Sequence, residues 1–195
     1  MLVGHSEGAG LVLEAANAGA SADGFVMLSG AGRPLRQLLA DQFRVQFDGA
    51  TSARLDASFE AYLQGADPTD VPASMKPLFL PQNRRMLRSM AAYDPAAEMR
   101  RSRLPAFVVH GRTDLQATDA DFDALVAARP SVDRLAIPNA NHVFKATSAR
   151  TLAEQLPIYM DPSLELVPEL VPAVAEWILR RDGSAAGAAA PPRRR

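Results

Sequence analysis

Met1-Leu2-Val3-Gly4-His5-Ser6-Glu7-Gly8-Ala9-Gly10-Leu11-Val12-Leu13 is the stretch on which the reading of the fold turns. An apolar run, Met1–Val3, leads straight into Gly4-His5-Ser6-Glu7-Gly8 and then into a segment of small and apolar residues, Gly8–Ala18. Gly-x-Ser-x-Gly between a strand and a helix is the pattern of a nucleophile elbow, a tight turn that holds a serine in a strained backbone with its hydroxyl exposed. The expectation is a buried strand ending at Val3, Ser6 at the turn, and Gly4 and Gly8 without side chains so that strand and helix approach closely. A phosphate-binding reading of the same glycines fails. Gly8-Ala9-Gly10 is followed by Leu13 where a dinucleotide fingerprint needs glycine, and no P-loop Lys-Ser/Thr follows.

Working outward, three further apolar runs read as buried strands: Gly24–Ser29, Ala106–His110 (entered from Pro105, ended by Gly111) and Arg134–Ile137, stopped by Pro138. Asp119–Ala128 carries Phe122, Leu125 and Val126 at helical spacing, and Glu169–Arg181 reads as a closing helix. Strands alternating with helices imply an α/β fold, with about four parallel strands and helices on both faces. Between Gly32 and Arg103 no strand is evident. Leu35, Leu38, Leu39 and Phe43, then Leu55, Phe59, Tyr62 and Leu63, fall at helical spacing, and Pro72, Pro77 and Pro81 precede a third helix with Met86, Leu87 and Met90. Ligands in parallel sheets bind beyond the strands' C-terminal ends, so residues 33–100 are expected to form a helical lid there. Phe43, Phe79, Met86 and Met90 are the candidate substrate-binding residues. Residues 1–182 are read as one partial domain, and the Ala, Gly, Pro and Arg tail 183–195 as disordered.

Of the three histidines, His5 lies inside the elbow with its ring expected to point away from Ser6, and His110 ends a strand in a structural role. His142, in Asn141-His142-Val143-Phe144 after the fourth strand, remains as the base that a serine hydroxyl needs. Asp114, in the loop after the third strand, completes an order Ser…Asp…His. Its neighbours Asp119, Asp121 and Asp123 fall in or at the cap of the next helix, and Asp119 is read as the N-cap.

The composition of the 195 residues sets bounds on everything else. Lys+Arg 21 against Asp+Glu 22 gives a formal charge of -1, which supplies no electrostatic drive toward nucleic acid. Cysteine is absent, which excludes disulfides and thiolate chemistry. No metal site or cofactor is expected. No stretch is long and apolar enough to span a bilayer and no leader-like segment opens the chain, so a cytoplasmic location is expected.

Gly4-His5-Ser6-Glu7-Gly8, Leu28-Ser29-Gly30-Ala31-Gly32-Arg33-Pro34-Leu35, Tyr93-Asp94-Pro95-Ala96, Gly111-Arg112-Thr113-Asp114-Leu115-Gln116, Asn141-His142-Val143-Phe144-Lys145 and Asp161-Pro162-Ser163-Leu164 together resemble the α/β-hydrolases of the esterase, lysophospholipase-like and serine-aminopeptidase-like branch. The resemblance runs to about Leu179. It implies Ser6 as nucleophile, His142 as base, Asp114 as acid and the Glu7 backbone N–H as an oxyanion donor. The activity it implies is cleavage of a small-molecule carboxylic ester through an acyl-enzyme. An aminopeptidase, amidase or thioesterase would use the same residues, and a non-catalytic fragment is the reading from another class. A full member of that fold carries strands, and the loop with a second oxyanion donor, ahead of the elbow. The expectation is therefore that the natural start lies upstream, and that the elbow strand, left at a sheet edge, promotes self-association.

Overall fold

The computed structural model describes residues 1–186. Its elements run β1 (Leu2–His5), α1 (Glu7–Asn17), β2 (Phe25–Leu28), α2 (Leu35–Gln46), α3 (Gly49–Gln64), 3-10 turns over Ala73–Phe79 and Pro81–Asn83, α4 (Arg84–Ala92), α5 (Pro95–Arg101), β3 (Ala106–Gly111), α6 (Asp119–Ala128), β4 (Asp133–Ile137), α7 (Leu152–Met160) and α8 (Leu170–Ala186). The strands lie in the order β1-β2-β3-β4. Every pairing is parallel, Leu2 facing Phe25, Phe25 facing Ala106 and Phe107 facing Asp133. This is the α/β class read from the apolar runs, four parallel strands with flanking helices.

Alternation along the strands divides the core into two layers. Phe25, Met27, Ala106 and Val108 point to the face packed with Ala9 and Leu13 of α1, Met99 of α5 and Phe122 and Leu125 of α6. Val26, Phe107, Val109 and Ile137 point to the other, where Leu170 and Trp177 of α8 cover them. Trp177 is 1% exposed and stacks on Phe107 with ring centroids 5.6 Å apart, and its Nε1 donates to Asp133 Oδ2 at 2.7 Å. Burial of such an aromatic contributes about 1.5–3 kcal/mol, so one residue fastens α8 to the sheet.

The segment between β2 and β3 builds a third core of its own from Leu39, Phe43, Leu55, Phe59, Tyr62, Phe79 and Leu87. Asp48 caps α3 by accepting from Thr51 N, and Gly65 ends it at φ 115, a left-handed conformation that suits glycine. Four α-helices stand where three were expected. The addition is α5, capped by Asp94, whose side chain accepts from Ala97 N, with Pro95 at its first turn.

Two boundary expectations are corrected. Helix α8 reaches Ala186, taking in 183–186 of the expected tail, because Ala185 and Ala186 continue a helix readily; the rest of that tail lies outside the described residues. The N-cap of α6 is Thr118 and not Asp119. Thr118 and Asp121 form a reciprocal capping box, satisfying two backbone donors that Asp119 could not reach together.

Candidate active site

The chain turns sharply between β1 and α1. Ser6 sits at φ 57, ψ −120, outside the regions a non-glycine residue normally occupies, and its N–H donates to Leu28 O of the adjacent strand at 2.9 Å. A Cβ at Gly4 would meet the Gly8 carbonyl oxygen at 2.0 Å, so only glycine permits the close approach of strand and helix. At Gly8 the expectation is corrected: a Cβ there would meet nothing within 4 Å. Gly8 contributes its carbonyl to the crowding, not its missing side chain. Gly4→Ala should therefore destabilise by about 3 kcal/mol or more through a backbone clash. Gly8→Ala, inside α1, should be stabilising by about 0.5–1 kcal/mol. Denaturant midpoints of the two variants check both.

The ends of β1, β3 and β4 bring the candidate residues together. His142 Nε2 lies 2.9 Å from Ser6 Oγ, and His142 Nδ1 lies 2.8 Å from Asp114 Oδ2. The Asp114 side chain is fully buried and that of His142 is 7% exposed. Asp114 Oδ1 accepts from the backbone N–H groups of Gln116 (2.8 Å) and Ala117 (3.1 Å), so the carboxylate has one oxygen fixed by its own loop and the other left for the imidazole. The base loop is fixed in a similar way. Asn141 Oδ1 accepts from Val143 N and Lys145 N, and Phe144 takes a positive φ of 58.

The His5 ring is directed at the base loop, Nε2 lying 2.7 Å from His142 O. His110 stacks on Phe122 and bonds Asp119 Oδ1 at 3.0 Å. Burial, the dominant influence, lowers its pKa, as suits a structural imidazole. Glu7 holds the first position of α1, where a backbone N–H has no carbonyl one turn back, and no side chain caps that end. Ser6 Oγ is engaged with His142 and does not cap the helix.

A cavity of about 650 Å³ opens beside Ser6 and His142. Leu11 lines it from α1, Leu35 and Leu38 from α2, and Met86 and Met90 from α4. Of the four residues expected to touch a ligand, Met86 and Met90 do face this space. Phe43 and Phe79 do not. They are 1% and 6% exposed inside the core of the helical segment, where their apolar surface holds α2, α3 and the 3-10 turn together. Arg33, also at the cavity wall, is anchored to the fully buried Asp121 at 2.8 Å and to Asp41 at 2.7 Å. Hydrogen bonding to Asp121 raises its pKa against the effect of burial. Arg33 and the cavity-lining Gln116 fall inside segments that carry the resemblance but had no role assigned from sequence, and Gln155 and Tyr159 carry no periodicity or motif that would single them out.

Among the described residues there is no cluster of three or more His, Asp or Glu that could hold a metal ion, and no helix long and apolar enough to cross a membrane. No family model matches the chain, and no curated protein does. Solved structures similar to it include an esterase from Pyrococcus furiosus (14% identity, TM-score 0.47, covering 93% of this chain and 53% of that one). An α/β fold family hydrolase from Bacillus anthracis (13%, TM-score 0.46, 72% and 59%) and an esterase from Exiguobacterium antarcticum (10%, TM-score 0.45, 81% and 63%) are also similar. The chain thus spans 53% to 63% of the length of these three structures. In fold class it is an α/β protein, a four-stranded parallel sheet with a serine at the turn from an edge strand into its helix.

Proposed function

We propose that this chain is a serine hydrolase that cleaves carboxylic esters through an acyl-enzyme on Ser6. The observation that carries the reading is the unbroken hydrogen-bonded line from Ser6 Oγ through the imidazole of His142 to the buried carboxylate of Asp114, placed at the wall of a mostly apolar cavity. In the proposed reaction Ser6 Oγ attacks the ester carbonyl while His142 Nε2 takes its proton. The same nitrogen returns that proton to the departing alkoxide. Water then attacks the acyl carbon, giving its proton to His142 and releasing Ser6 and the carboxylic acid. Asp114 holds the imidazole with Nδ1 protonated and stabilises the imidazolium that forms in each step. The Glu7 N–H is the proposed donor to the developing oxyanion.

The helices between β2 and β3 act in this reading as a lid, with Leu35, Leu38, Met86 and Met90 receiving the acyl chain. A chain that buries against them should show it in kinetics. From p-nitrophenyl acetate to the octanoate, each added methylene should raise kcat/KM by up to about fourfold, corresponding to ~0.8 kcal/mol per buried CH₂. Aminoacyl p-nitroanilides run in parallel should be poor substrates. Turnover of the anilides with none of the esters would replace the ester reading by an amide one.

A further inference from the structure

Helix α7 lies beneath the two loops that carry Asp114 and His142, and it grips both. Gln155 is fully buried, and its amide donates to Thr113 O at 2.7 Å, next in sequence to Asp114, and to Ala149 O at 2.9 Å. Its remaining acceptor, Oε1, receives the Tyr159 hydroxyl at 2.7 Å, one helical turn further on. With that bond every polar atom of the Gln155 side chain is used. Burial raises the pKa of the Tyr159 hydroxyl, with the nearby Gln116 side chain and His142 backbone N–H acting against it. Gln116 in turn bonds Asp114 through its own N–H and accepts from Gln42 of α2 at 3.1 Å through its carbonyl.

The lower end of α7 is pinned as well. Lys145, three residues after His142 and only 9% exposed, donates from Nζ to the carbonyls of Ile158 (3.1 Å), Tyr159 (3.4 Å) and Asp161. An ammonium on the last carbonyls of a helix is favoured by the orphan acceptors and the helix dipole there. The base loop holds the end of α7 through Lys145, and α7 reaches the acid loop through Gln155, which ties the two loops to one helix.

We propose that Tyr159, acting through Gln155, is a positioning residue for the acid–base pair, its hydroxyl holding the Gln155 amide against Thr113 O beside Asp114 without touching substrate. The inference rests on the ester-hydrolase reading above, and Tyr159 does not line the cavity. Its ring is half-buried, so phenylalanine fills the same space and only the hydroxyl is lost.

The experiment measures kcat and KM for p-nitrophenyl butyrate, and the rate at which a fluorophosphonate inactivates the enzyme, in the wild type, Tyr159→Phe and Gln155→Met. A loosened acid–base pair costs about ten- to a hundredfold in kcat. KM should stay within twofold, and the inactivation rate should fall in proportion to kcat because nucleophile activation is the step impaired. Against an Asp114→Asn background Tyr159→Phe should have less than a twofold effect on inactivation, since the pair it positions is already broken. A rise in KM at unchanged kcat, or the same fold-loss in both backgrounds, overturns the proposal and leaves a packing role. If Tyr159→Phe does not fold, Gln155→Met decides by the same criteria. Wild-type protein inert to the fluorophosphonate would instead overturn the hydrolase reading, so the two failures are told apart.

Discussion

Ser6→Ala is expected to lower kcat for p-nitrophenyl esters by about 10⁶ and to end covalent labelling by a fluorophosphonate. The size follows from the geometry. Among the described residues Ser6 Oγ is the one hydroxyl bonded to His142 Nε2, and with it gone the imidazole has no attached nucleophile to deprotonate. What remains is binding and the oxyanion donor, worth far less than the covalent route. Because alanine keeps the Cβ, it keeps the strain of φ 57, ψ −120, and stability should hardly move. Ser6→Gly separates the two effects. It should be equally inactive, yet more stable by about 1–3 kcal/mol, the cost of holding a non-glycine residue in that conformation. The midpoint of thermal unfolding measures the gain, and turnover surviving in Ser6→Ala would place the nucleophile elsewhere.

The parts of this molecule that were legible in its sequence are those enforced by burial or by sharp backbone constraint. Phe25–Leu28 and Ala106–Gly111 are short apolar runs that must be covered on both faces, and they form the two central strands. The turn at Ser6 was legible because Gly4 permits a 2.0 Å approach that no other residue allows. Helical periodicity put Phe43 on an apolar stripe and Phe79 was read as an apolar lid residue, but such residues serve a core or a cavity equally well, and here the helices needed both for their own packing. Met86 and Met90 lie on the partly exposed face of α4, one turn apart, and reach the cavity for that reason. Helix α7 had no sequence signal strong enough to read. Pro157 sits inside it, and most of its outward positions are exposed, so its order comes from Thr151 at the N-cap, Gln155 and Lys145. The Thr151 cap is local, but the Lys145 and Gln155 bonds to Ile158 and Thr113 run across 13 and 42 residues of chain, which no local pattern records.

Asp114→Asn should cost about 10⁴ in kcat with the fold intact. The reason lies in how the two carboxylate oxygens are used. Oδ1 receives the N–H groups of Gln116 and Ala117, and Oδ2 receives His142 Nδ1. An asparagine must keep its carbonyl oxygen toward the two backbone donors, since reversing it would set an NH₂ against them. The amide nitrogen then faces His142 Nδ1 as a donor. The imidazole answers by carrying its own proton on Nε2, the nitrogen that has to accept from Ser6. The base is thereby held in the wrong tautomer while every backbone hydrogen bond of the loop survives. Stability should stay within about 1 kcal/mol or so of the lost charge-assisted bond, and KM should be unchanged because Asp114 does not line the cavity. Asp119→Asn is the matched control. Asp119 pairs with His110 and Arg112 away from Ser6, and its loss should alter kcat less than twofold. A large effect at Asp119 with a small one at Asp114 would transfer the acid's role to the His110 pair.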